Sequence, residues 1–82
     1  MEEIFAKRLV ISKLYDAYKL LLTSKQREYM ELYFAEDMSL SEIGQELGVS
    51  RQAVHDLLHR VEKSLWKYEE KLHLCGIKKE DI

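Results

Sequence analysis

The side chains that bear most directly on chemistry lie between Ser39 and Lys63. An arginine there (Arg51) can pair bidentately with guanine, a glutamine (Gln52) with adenine, and histidines (His55 and His59) can donate to bases or phosphates. Arg60 and Lys63 follow further along the same segment. Ser39, Ser41 and Ser50, with the backbone amides of two helix N-termini, suit phosphate oxygens. These nine residues form the candidate nucleic-acid-binding set. A solvated or protein-binding helix face is the competing reading of the same residues. His55-Asp56-Leu57-Leu58-His59 also resembles the H-E-x-x-H pattern of zinc peptidases. Aspartate replaces the usual glutamate, no third ligand is evident, and a short helical chain offers little substrate cleft. We therefore expect no metal, cofactor, small-molecule substrate or catalytic residue.

Residues 39–60, SLSEIGQELGVSRQAVHDLLHR, supply the elements that must position this set. Ser39 and Glu42 form a capping box that starts a helix at Leu40. Leu40, Ile43 and Leu47 then share one face, and Gly44 beside them leaves room for a second helix to cross. Gly48 can turn left-handed and end the helix, while Val49 is placed to plug the turn. Ser50 caps the next helix, whose Val54 and Leu57 face back toward Ile43 and Leu47. This is the spacing of a helix-turn-helix, and it leaves Arg51, Gln52, His55, Asp56 and His59 facing outward.

Composition limits the alternatives. Eighty-two residues, 46% hydrophobic, without proline and with three glycines, indicate one all-α domain over 1–82. The opening MEEIFAKR is acidic rather than signal-like. Lys13, Asp16 and Lys19 interrupt the apolar run from Leu9 to Leu22, so no membrane span is expected. A single cysteine, Cys75, has no internal disulfide partner, which fits a cytoplasmic location. We read it as a packing or surface thiol. The net charge of -2 is awkward for a DNA binder, because duplex affinity depends on phosphate neutralisation.

Periodicity and caps predict helices at about 3–22, 24–35, 40–47 and 51–74. Ile4, Ile11 and Tyr18 recur every seven residues, and Thr23 with Gln26 forms a second capping box. Tyr29, Met30, Tyr33 and Phe34 give the second helix an apolar face. The last helix is longer than one groove reader needs: its apolar positions run on through Leu58, Val61, Leu65, Tyr68 and Leu72 to a stop at Gly76. Such a tail can pack on the first helix or pair with another copy. Sharing that surface between two chains is the more economical way for a small protein to bury it. The expected homodimer interface is Ile4, Ile11, Val61, Leu65, Tyr68 and Leu72.

From Tyr15 to Leu72, the segments LTSKQREYMELYF, SLSEIG and GVSRQAV resemble region four of bacterial sigma factors. Within that class, SKQREYMELYF, GVSRQAV and KYEEKLHL are most similar to the YlxM family. The resemblance implies a sigma region-four type of helix-turn-helix with an extended C-terminal helix. It also implies a cytoplasmic accessory or regulatory protein of the signal recognition particle pathway, contacting DNA, the particle's RNA or its GTPase subunit. Arg51 and Val54 match the sigma-type reading helix. Ala53, His55 and Asp56 stand where sigma factors commonly carry further basic or amide residues, which argues against promoter recognition. Two functions therefore stay open: a dimeric nucleic-acid-binding regulator, and an adaptor whose motif is turned toward a protein partner.

Overall fold

The computed structural model describes residues 8–79. The fold is all-α. Among the described residues it consists of α1 (Arg8–Tyr18), a 3₁₀ turn (Lys19–Leu21), α2 (Ser24–Phe34), α3 (Leu40–Leu47) and α4 (Arg51–Leu72), with no strand. The expected start of the first helix at residue 3, and Ile4 with it, lie outside the described residues.

α4 is the shared partner of α1, α2 and α3. Its Val54, Leu58, Val61 and Leu65 are fully buried, together with Leu14 of α1, Met30 of α2, and Leu40 and Ile43 of α3. Burying four such α4 side chains contributes on the order of 8 kcal/mol relative to exposing them. That side of α4 is therefore committed within the chain.

Both capping boxes form. The Thr23 hydroxyl accepts from the Gln26 amide at 3.1 Å while the Gln26 side chain accepts from the Thr23 amide at 2.9 Å. Ser39 and Glu42 repeat the arrangement at 3.1 and 2.8 Å. Each box satisfies two amides that the first helical turn would otherwise leave unbonded.

Two helix ends differ from the sequence expectation. α1 gives way to the 3₁₀ turn after Tyr18 instead of running to residue 22. The Arg27 guanidinium reaches back from α2 and donates to the carbonyls of Lys19 (3.1 Å) and Leu22 (2.7 Å), taking over acceptors at the end of that segment. α4 ends at Leu72, and His73, not Gly76, is the left-handed stop, with φ of 53°. Gly76 turns left-handed within the segment that follows. That segment is folded back by a buried carboxylate. Glu69, 1% exposed, accepts from the Tyr18 hydroxyl, from the Cys75 amide at 3.2 Å and from the Ile77 amide at 2.8 Å. Tyr18 in turn accepts from the Leu74 amide at 3.0 Å.

Glu69 falls where the apolar spacing was expected to pass through Tyr68. A straight α-helix drifts by about 20° per heptad against a strict seven-residue repeat, so the core stripe moves off Tyr68 and onto Glu69. Burial opposes the carboxylate's charge. The Tyr18 hydroxyl and the amides of Ile77, Cys75 and Gly76 outweigh that penalty and hold its pKa below the usual value. Burial, and then the bond to Glu69, pushes the Tyr18 phenol up.

Candidate nucleic-acid interface

The α3–turn–α4 unit is built by its backbone. Gly48 adopts φ of 71°, a left-handed conformation, and its amide bonds to the Gly44 carbonyl. The Val49 amide also donates to that carbonyl, at 2.9 Å. A Cβ at Gly44 would stand 2.7 Å from the Val49 carbonyl oxygen and 3.5 Å from the Arg51 nitrogen. The glycine is thus required by the turn and the first residue of α4, a tighter constraint than the crossing of two helices. Val49 does not plug the turn as expected: the residue is 37% exposed, and its carbonyl oxygen supplies the close approach to Gly44. Ser50 accepts from the Ala53 amide at 3.0 Å and starts α4.

This anchoring leaves Arg51, Gln52, Asp56, Arg60 and Lys63 exposed, with His55 and His59 half-buried at the edge of the same face. The hydroxyls of Ser39 and Ser50 already accept cap bonds, so each offers an oncoming phosphate its O–H. Ser41 is exposed on the first turn of α3.

The face is internally paired around an aspartate. Gln52 donates to Asp56 Oδ1 at 2.9 Å, and His55 Nδ1 lies 3.5 Å from the same oxygen. These two contacts hold the Asp56 carboxyl below the usual carboxylate range. A firm negative charge therefore sits among the base-reading candidates, and it occupies the amide of the residue best suited to adenine. The His55 and His59 rings are tilted against each other with centroids 4.3 Å apart. Among the described residues, no group of three or more His, Cys, Asp or Glu side chains is placed to hold a metal ion.

The expected dimer face needs correction. Ile11, Val61 and Leu65 are buried in the chain's own core and cannot face a second copy in this fold. Tyr68 is half-buried, its ring 6.0 Å from that of Tyr18. Of the described positions in that set, Leu72 alone is well exposed, at 51%. Leu20 and Leu21 of the 3₁₀ turn, Leu72 at the end of α4 and Leu74 just beyond it are among the leucines that remain in solvent.

Comparison with known proteins decides the lineage. A family profile described as "Putative helix-turn-helix protein, YlxM / p13 like" matches residues 5–81. The chain belongs to the UPF0122 family. UPF0122 protein YofM of Lactococcus lactis is 55% identical over 64 residues, which cover 78% of this chain and 58% of that relative. A UPF0122 protein of Halalkalibacterium halodurans is 54% identical over 70 residues, covering 85% and 64%. A Streptococcus pneumoniae relative is 55% identical over 64 residues. The chain spans about three fifths of the length of these relatives. Family membership agrees with the motif that the α3–turn–α4 geometry builds. Among the described residues, no helix is long and apolar enough to cross a membrane.

Sequence reasoning found the outward residues of α4 but missed two features. The pairing of Gln52 with Asp56 was available from their i, i+4 spacing. Glu69 gave a weaker signal: it stands four residues after Leu65, at a helical core spacing, but its partners are as distant in sequence as Tyr18.

Proposed function

We propose that this UPF0122 chain is a cytoplasmic regulatory or accessory protein that binds nucleic acid through the first turns of α4. The observation that carries the reading is the fixed presentation of Arg51, Gln52, Arg60 and Lys63. A turn with no room for a side chain at Gly44, and a serine cap at Ser50, set the angle of that helix. Ser39, Ser41 and Ser50 add hydroxyls and helix N-termini for the backbone. The resemblance to the YlxM family points to the signal recognition particle pathway, with the particle's RNA or its GTPase subunit as a partner. The protein works as a homodimer, which doubles the phosphate contacts of a weakly charged face. Its contact is made by exposed Leu72 at the end of α4 and Leu74 just beyond it, next to the Tyr18–Leu74 hydrogen bond.

Asp56 favours a second reading, an adaptor that uses the same helix face on a protein such as the targeting GTPase. An anion held in its charged form repels phosphate, yet it can pair with a basic protein surface. Fluorescence anisotropy separates the two. The nucleic-acid reading expects wild type to bind duplex DNA or the particle RNA at about 50 mM salt and to lose affinity steeply toward about 200 mM. Arg51→Ala then weakens binding at least about tenfold, in line with the loss of a bidentate contact. If neither nucleic acid binds at low salt, the adaptor reading stands in its place.

A further inference from the structure

Where residues 73–79 fold back on the C-terminal half of α4, they enclose a groove of about 430 Å³. Its exposed rim carries Lys63, Lys67, Lys78 and Lys79, and its inner wall is made by buried Trp66 and half-buried Ile77. We propose that this groove binds a nucleotide, its phosphates held by the lysine rim and its base laid against the Trp66–Ile77 wall.

The charge is unusual for this molecule. Four lysines meet two lining glutamates, Glu69 and Glu70, giving an excess of two positive charges in a chain whose net charge is -2. Glu69 is turned inward to the Tyr18 hydroxyl and the amides of Cys75 and Ile77, which leaves Glu70 as the exposed carboxylate at the rim. Exposed His73 adds a donor on the same rim. Lysine ammoniums are mobile point charges with three donors each, suited to a polyphosphate whose oxygens rotate. The volume lies in the range of small-ligand pockets, roughly 300–1,000 Å³. A compact ligand with one flat face and one highly charged end matches this division into apolar wall and cationic rim. An extended acidic peptide would use the rim and leave the wall empty.

The site is distinct from the face proposed above, with which it shares Lys63 alone. The same chemistry is offered by a free nucleoside triphosphate and by a nucleotide within a single-stranded RNA. Trp66 is the only tryptophan in the chain, so its fluorescence reports directly on the groove. The intact chain is titrated with ATP, with inorganic triphosphate, with adenosine and with a short single-stranded RNA. Calorimetry is run alongside so that a spectroscopically silent ligand is counted. The expected result is saturable binding of ATP or the RNA, at least about tenfold tighter than adenosine or triphosphate alone. Binding by ATP assigns the free nucleotide as the source; binding by the RNA alone assigns the strand. Lys67→Ala combined with Lys78→Ala, both at exposed positions, weakens that binding at least about tenfold, while Arg51→Ala leaves the binding of ATP unchanged. The proposal is overturned if neither phosphate-bearing nucleotide probe binds, if adenosine or inorganic triphosphate binds as well as ATP, or if the double lysine variant titrates like wild type. Because Arg51→Ala and the lysine pair act on different sites, failure of the ATP arm leaves the α4 reading untouched, and an RNA whose affinity falls with Arg51→Ala but not with the lysine pair belongs to the α4 face and counts against this groove.

Discussion

α4 solves two different problems along its length of about 33 Å. From Arg51 to Arg60 its outward side is polar, exposed and tied together by short-range pairs, Gln52 with Asp56 and His55 with His59. From Val61 to Leu72 its inward side takes a carboxylate into the core and uses it to hold the chain that follows. The contrast turns on solvent. Asp56 and Glu69 are both held below the ordinary carboxylate value, but exposed Asp56 loses most of its interaction energy to water. Glu69 is walled off, so each of its hydrogen bonds is costly to lose.

The largest test of this comparison is Glu69→Ala. It leaves the buried Tyr18 hydroxyl and the part-buried amides of Cys75 and Ile77 without their acceptor. Urea unfolding at neutral pH should show a loss of about 3 kcal/mol, against less than about 0.5 kcal/mol for Gln52→Ala. The pH dependence has a defined sign. Because the folded carboxyl is held below its ordinary value of 4.5, its contribution is fully present above about pH 4.5 and is lost as pH falls through the lower folded value. Glu69→Gln should therefore flatten that acid limb of the stability profile. Equal costs for Glu69→Ala and Gln52→Ala would dissolve the distinction between the two halves.

The same contrast explains what was readable in advance. The capping boxes at Thr23–Gln26 and Ser39–Glu42, the left-handed Gly48 and the outward Arg51 and Gln52 all depend on neighbours within a few residues. Local spacing encodes such features, and the structure places them accordingly. The ends of α1 and α4 depend on Arg27 and Glu69, whose partners are chosen by tertiary packing. The same local reading assigns Val61 and Leu65 to a second chain on grounds of economical burial, whereas the fold buries them within one chain. The lysine-rimmed groove was invisible for a related reason: it exists only once residues 73–79 have folded back onto α4.

A second test moves to the far end of α4, where the homodimer contact is proposed. Leu72 and Leu74 are 51% and 67% exposed, so Leu72→Asp with Leu74→Asp should change unfolding stability little. If these ends join two copies, removing both leucines weakens the dimer by about a hundredfold, and sedimentation should give the monomer mass where wild type gives twice that value. An unchanged mass for the variant would remove this end of α4 from any subunit contact. The contact between copies would then lie elsewhere on the chain.

The smallest effect belongs to Asp56→Asn, and it bears on the exposed half alone. The substitution keeps the size of the side chain, removes the charge, and loosens the hold on the Gln52 amide at 2.9 Å. The charge is exposed and its interactions are screened by water and salt, so duplex DNA or RNA affinity should rise only modestly, by about threefold at low salt. Stability should hardly move, because the aspartate is exposed and its pairs are local. A gain that fades as salt is added identifies Asp56 as a brake on phosphate approach within a nucleic-acid-binding face. A loss of affinity instead would mean that the carboxylate orders Gln52 for reading, and that its pairing with that amide matters more than its charge.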